Sequence, residues 1–169
     1  MQLVSFFHSL WGHAWLDSIM IEIANFGLFV SLAAFMYGLW RRRPHGLLPW
    51  FALGTVAAIG LDLLGGRVFF DPRPFVRLNV APLFAHSMDN GFPSDHSAVA
   101  AFLAGILWFV DAPAAAVATV AAVAIGVARM YALVHWPVDV IGGWVIGAVP
   151  AVVVMRFWRA RNETTSTKP

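Results

Sequence analysis

Apolar residues in this chain fall into long blocks separated by short polar breaks. An α-helix rises about 1.5 Å per residue, so roughly 20 apolar residues cross a bilayer core about 30 Å thick. Five blocks meet or approach that length and are predicted to be spanning helices: 18–40, 47–64 (extendable to Phe70), 97–110, 112–130 and 138–157. The third is short. Its missing length is supplied if the helix starts inside the polar stretch before it, at Pro93, because proline suits a first helical turn. Ahead of the spans, Val4, Phe7, Trp11 and Trp15 recur at spacings of three and four, with Ser5, His8, Ser9, Gly12 and His13 mainly on the other side. That pattern predicts an interfacial amphipathic helix over 1–16, its tryptophans at headgroup depth. The polar, Ser/Thr-rich residues 162–169 predict a disordered tail. The expectation is an all-α, polytopic membrane bundle forming one domain over 1–169.

Composition agrees with the pattern. The chain is 60% hydrophobic and 12% charged with a mean hydropathy of +0.73, well below the roughly 25% charged residues of soluble domains. It has no cysteine, which removes disulfides, thiolate metal sites and a cysteine nucleophile. The N-terminus has neither a basic n-region nor a small-residue cleavage site, so residue 1 onward is expected to be mature protein. His8 and His13 lack the partners of a metal site and read as surface histidines.

Charge placement sets orientation. Arg41-Arg42-Arg43 after the first span, and Arg156, Arg159, Arg161 and Lys168 after the fifth, predict a cytoplasmic location for those ends. With five spans, the loops 65–96 and 131–137 then face outward. Arg67, Arg73, Arg77 and Arg129 lie on that outer side against the rule, and they want an anionic partner. Glu22 and Asp62 sit inside apolar runs near the outer interface, each either functional or satisfied there by water or an arginine. Gly143 and Gly147 form a small-xxx-small pair, and the fourth span is dense in alanine. Both features predict close helix packing.

Three segments converge on the outer face: Arg67 to Pro74; Gly91-Phe-Pro-Ser94-Asp95-His96; and Arg129 through His135 and Asp139 to Gly143. Guanidinium forks match phosphate oxygens, and a helix N-terminus adds backbone N–H donors and a positive dipole end. Phosphoryl transfer asks mainly for such positioning and charge neutralisation. His135 and Asp139 are four apart, so the carboxylate can accept from one imidazole nitrogen while the other points at phosphorus. His96, on a different helix, is free to protonate the leaving oxygen. His86 and Asp89 either line the approach or belong to a solvated loop, and Asp71 reads as a charge partner of its neighbouring arginines.

These segments resemble the signature of the type 2 phosphatidic acid phosphatase superfamily, over residues 67–143. The signature comprises a lysine leading to Arg-Pro, then Pro-Ser-Gly-His, then Ser-Arg followed by His and Asp. This chain carries Arg67 for the lysine, one residue closer to Arg73 than usual, Asp95 for the glycine and Ala128 for the serine. The first two departures, the small size and the Phe-Pro-Ser-Asp-His wording resemble the bacterial undecaprenyl-diphosphatase branch. The resemblance implies that His135 is the nucleophile forming a phosphohistidine, Asp139 orients it and His96 is the general acid. It implies phosphate binding by Arg67, Arg73, Ser94 and Arg129. Asp95 is grouped with that set by position and stands to fix the helix start or an arginine. The implied substrate is a polyprenyl diphosphate lipid, hydrolysed at the outer side of a bacterial inner membrane without cofactor, metal or nucleic acid. Rival expectations are another lipid phosphate (phosphatidate, phosphatidylglycerol phosphate, lipid A) or a transporter or scramblase with a phosphate-binding mouth.

Overall fold

The computed structural model describes residues 2–166 of the chain, with side chains through 164. Met1 and residues 167–169, which include Lys168 and the end of the expected tail, lie outside the described residues. Among the described residues seven helices follow in order: α1 Gln2–Ser9, α2 Ala14–Arg42, α3 Leu48–Val68, α4 Pro74–Leu78, α5 Asp95–Val110, α6 Ala112–Tyr131 and α7 Pro137–Ser166. The only β pairing among the described residues is an isolated bridge between Pro72 and Asn90.

Helices α2, α3, α6 and α7 are long and apolar enough to cross a membrane, and α5 is a shorter apolar helix among them. Their outward faces carry Phe26, Phe29, Trp40, Val56, Ile59 and Val120, all exposed. Such a surface is stable only against lipid, so this is a multi-pass membrane protein. Helix ends are set by local chemistry. Arg43 adopts φ 46° and returns its N–H to Leu39 O to close α2, while Asp111 accepts from Ala114 N–H to open α6.

α5 packs most extensively on α7, and α2 on α6. Small residues make both seams possible. A Cβ at Gly147 would strike the Ala98 carbonyl, and one at Gly143 would press on Ser94 O, so the two helices meet backbone to backbone as the glycine spacing predicts. On α6, Ala115, Ala118, Ala122 and Ala128 are buried.

Three expectations need correction. The N-terminal helix stops at Ser9 instead of running to 16, and the chain turns at Gly12 with φ 94° before α2 begins. It does more than lie on the interface. Val4 is buried against Phe75 and the 132–136 loop, Trp11 Nε1 donates to Tyr131 O at 2.9 Å, and Tyr131 Oη donates to Asp17 Oδ1 at 2.6 Å. Secondly, α5 starts at Asp95 with Ser94 as its N-cap, two residues after Pro93. Thirdly, residues 162–166 continue α7 as helix where a disordered tail was expected.

The arginine-rich ends of α2 and α7 lie together. Arg42 Nε donates to Asp111 Oδ2 at 2.8 Å, Trp158 Nε1 to His45 O at 3.1 Å and Arg159 Nη2 to Phe109 O at 2.8 Å. The C-termini of α3 and α6 and the N-termini of α5 and α7 meet at the opposite end of the bundle, and the candidate site is there.

Candidate active site

The 131–136 turn between α6 and α7 places the central histidine. Leu133 adopts φ 59°, a left-handed conformation that costs a non-glycine residue roughly 1 kcal/mol or more. It is held there by burial, by Leu133 N–H donating to Met130 O and by Leu133 O accepting from Phe75 N–H. Trp136 Nε1 donates to Pro72 O at 2.8 Å, fastening the turn to the segment before α4.

His135 is 3% exposed. Its Nε2 lies 3.3 Å from Arg73 Nη1 and 3.4 Å from Arg129 Nη2. Guanidinium nitrogens only donate, so Nε2 is the acceptor and Nδ1 carries the hydrogen. That hydrogen is donated to Gly91 O at 2.9 Å. Burial first, and then the charges of Arg129 and Arg73, push the pKa of His135 down to about 3, so the imidazole is neutral with a free lone pair on Nε2.

Asp139 has a different place from the one its spacing predicts. Its Oδ2 stands 3.6 Å from His135 Nδ1, within ion-pair range, but the hydrogen bond from Nδ1 goes to Gly91. Oδ2 instead accepts from Trp136 N–H at 2.7 Å, capping α7, and the Asp139 backbone O accepts from Ser94 N–H at 3.1 Å. Oδ1 is buried without a partner. A Cβ on Gly91 would lie 3.0 Å from both Asp139 Oδ2 and Asp71 O, so only glycine brings this carbonyl so close to the imidazole.

Both central arginines are buried and tied. Arg73 donates from Nε and Nη2 to Asp89 Oδ1 at 2.8 and 2.7 Å and from Nη1 to Val134 O at 2.9 Å. Arg129 donates from Nη2 to His86 Nε2 at 2.7 Å, while its Nε is buried with no partner. Ser94 is fully buried and its hydroxyl accepts from Ser97 at 3.1 Å. His96, in the first turn of α5, is partly buried, its ring forms no hydrogen bond among the described residues, and it lies within electrostatic reach of Arg129, His135 and His86.

Other candidates stand apart. Arg67 is exposed on the last turn of α3 and makes none of the bonds that tie in Arg73 and Arg129. Arg77 lies over the Trp136 ring at 5.9 Å. Asp71 forms no ion pair among the described residues and contributes its backbone, accepting from Gly91 N–H at 2.8 Å. Asp95 is exposed. A carboxylate offers a phosphate oxygen no N–H donor, and Asp95 lines a groove of about 350 Å³ between α3 and α5 with Asp62 and otherwise mostly apolar side chains. Asp62 Oδ1 is buried there without a partner, and Glu22 is exposed on α2. Among the described residues no three His, Asp or Glu side chains converge as a metal-ligand set.

Sequence reading missed Asn90. Its Oδ1 accepts from Asp71 and Phe92 N–H at 2.9 and 3.1 Å, and its Nδ2 donates to Gly66 O and Phe69 O, both at 2.9 Å. One amide thereby joins the end of α3 to the start of the second motif. A loop asparagine beside a glycine is a turn signal, and sequence carries no further mark of this role.

The family model of the PAP2 superfamily matches residues 48–163, which span every one of these site elements. The chain belongs to the PAP2 superfamily. PAP2 relatives agree over most of its length. It is 30% identical over 146 residues to "Undecaprenyl-diphosphatase BcrC" of Bacillus subtilis (strain 168), covering 84% of this chain and 75% of that protein. It is 32% identical over 161 residues to "Phosphatidylglycerophosphatase B" of the same organism, covering 85% and 75%. Among solved structures it superposes on Aquifex aeolicus LpxE with a TM-score of 0.75 at 25% identity, over 92% of this chain and 93% of that one. The PAP2 assignment makes this chain a membrane lipid phosphatase, and the matched segment contains the cluster around His135.

Proposed function

We propose that this protein hydrolyses undecaprenyl diphosphate to undecaprenyl phosphate and phosphate through a phosphohistidine on His135. The observation that carries the reading is the setting of His135 Nε2: an unprotonated nitrogen between two guanidiniums, one of which keeps a buried donor, Arg129 Nε, unused. A terminal phosphoryl group placed there satisfies that donor and has its charge spread over both forks. His135 Nε2 forms a bond to phosphorus as the bond to the bridging oxygen breaks, and His96 supplies a proton to the departing undecaprenyl phosphate. Water, deprotonated by His96, then cleaves the P–N bond and releases phosphate. The Gly91 carbonyl keeps the imidazole in its tautomer. Asp139, 3.6 Å away, offsets the positive charge that the ring gains on phosphorylation. Ser94 and the first-turn N–H groups of α5 complete the cradle. Arg67, exposed and untied, is free to follow the second phosphate, and the lipid tail has the apolar wall of the α3–α5 groove beside it.

The diphosphate is favoured by the relative named for that activity, whereas the phosphatidylglycerophosphatase relative favours a monoester. Phosphate release by the purified full chain from undecaprenyl diphosphate, phosphatidate, phosphatidylglycerol phosphate and lipid A separates them. The expected result is highest kcat/KM on undecaprenyl diphosphate, undiminished by chelator, and none after His135→Ala. Turnover by His135→Ala removes the nucleophile, a strict requirement for a divalent cation removes the mechanism, and preference for a monoester removes the substrate.

A further inference from the structure

The loop between α4 and α5 brings to the arginines one histidine and one carboxylate for which the proposed reaction has no step. His86 Nε2 accepts from Arg129 Nη2 at 2.7 Å, and Asp89 Oδ1 accepts from Arg73 Nε and Nη2 at 2.8 and 2.7 Å. These two acceptors are three residues apart on one strand of chain, and the next residue after Asp89 is Asn90, whose four hydrogen bonds anchor that chain to α3 and to the second motif. Arg73 Nη1, which also donates to Val134 O, faces His135 Nε2 at 3.3 Å, and Arg129 Nη2, the atom bonded to His86, faces it at 3.4 Å. Two guanidiniums converging on one nitrogen repel each other, and each has several rotamers in which it turns away. A fixed acceptor on each fork, Asp89 on the far edge of Arg73 and His86 on the same Nη2 of Arg129 that faces His135, removes those alternatives.

We propose that His86 and Asp89 are positioning residues that hold the Arg129 and Arg73 forks on the two flanks of His135 Nε2, so that an incoming phosphoryl group meets donors already in place. Preset donors add most where water is excluded, because no reorganisation is left for the moment of reaction. Each acceptor suits its arginine. Burial first, then the charges of Arg73 and Arg129, hold His86 down to about 4, so it stays a neutral acceptor for a cation at neutral pH. Asp89 remains ionised because hydrogen bonds from Arg73 and Ser87 outweigh its burial. The His86 ring also stands edge-on to His135, with centroids 6.2 Å apart, so it borders the same pocket as the arginine it accepts from.

This inference rests on the phosphatase reading for its turnover arm and is independent of it for binding. The test uses the purified full chain with His86→Ala, His86→Gln, Asp89→Ala and Arg129→Lys, each checked by thermal melting. Turnover is measured on undecaprenyl diphosphate, and affinity is measured calorimetrically for inorganic phosphate. His86→Ala is expected to lower kcat/KM and phosphate affinity by about tenfold to a hundredfold. His86→Gln, whose Oε1 also accepts at that reach, should recover most of the loss. In an Arg129→Lys background, with no fork to orient, His86→Ala should cost little more. Asp89→Ala should weaken phosphate binding in the same way. Wild-type kcat/KM and phosphate affinity in His86→Ala, no recovery in His86→Gln, or effects that simply multiply with Arg129→Lys would each overturn the positioning role. If the wild-type chain releases nothing from undecaprenyl diphosphate yet loses phosphate affinity on His86→Ala, the substrate assignment fails and the positioning role stands.

Discussion

At the scale of single residues, the fold spends most on keeping His135 neutral. Withdrawal from water and two facing guanidiniums lower its pKa to about 3, while the hydrogen bond to Gly91 O works in the other direction and loses. The consequence for stability has a definite sign. In the unfolded chain a histidine takes up a proton below about pH 6.5, whereas folded His135 refuses one until about pH 3. Its contribution is therefore nil above pH 6.5 and increasingly unfavourable as pH falls from 6.5 toward 3, reaching about 2 kcal/mol at pH 5. His86, lowered to about 4, adds to the same trend. Acidification from pH 7 to pH 5 is expected to lower the melting midpoint of the detergent-purified protein. His135→Gln, inactive but lacking the titrating group, should lose less. Wild-type and variant midpoints that fall in parallel would show that His135 takes its proton in the folded state as readily as in the unfolded.

Helices and loops differ in how far their sequences announce them. The long spans were legible because a run of apolar residues near the bilayer length has few other uses, and the glycines of α7 were legible because small residues at a spacing of four let backbones touch. What sequence could not supply is the loop between α4 and α5, which has no period. His86, Asp89 and Asn90 acquire partners only when α3, α6 and Arg73 before α4 have been brought together. The start of α5 was misplaced for a related reason. Ser94 N–H is taken by Asp139 O on α7, a tertiary bond that holds the chain extended just where proline alone argues for helix. Asn90 is the loop element whose removal should be most costly. Asn90→Ala leaves two N–H groups and two carbonyls without their partner, at about 1–3 kcal/mol for each one that water cannot reach. A drop in melting midpoint and a larger fractional loss of activity are expected, because the residues joined carry Arg73 and Gly91. Asn90→Asp keeps the acceptor half and loses both donors, so it should fall between. An Asn90→Ala protein that matches wild type in midpoint and rate would mean that the two motifs are held in register by α4 and α7 without it.

For the whole molecule the question is which way the bundle faces. The spanning helices alternate in direction, so the turns split into two groups. One end holds Arg73, Arg129, His135 and His96, with both arginines buried and bonded. The other holds Arg41, Arg42 and Arg43 with Arg156 and Arg159, all exposed. Lysine and arginine in short flanking segments are retained on the cytoplasmic side of bacterial membranes. Arginines already committed to an internal site are a weaker topological signal than a solvated triplet. The charge balance thus argues for the outer side as the place of the proposed site. Because the chain has no cysteine, it can report its own orientation. Met88, 79% exposed on the loop beside the site, and His45, exposed in the α2–α3 turn, mark the two ends. In intact cells a membrane-impermeant maleimide should label Met88→Cys and leave His45→Cys untouched until the membrane is permeabilised, while neither replacement touches the groups around His135. The reverse pattern would put the arginine triplet outside and the site in the cytoplasm, and the substrate would then have to be a lipid phosphate presented on the inner leaflet.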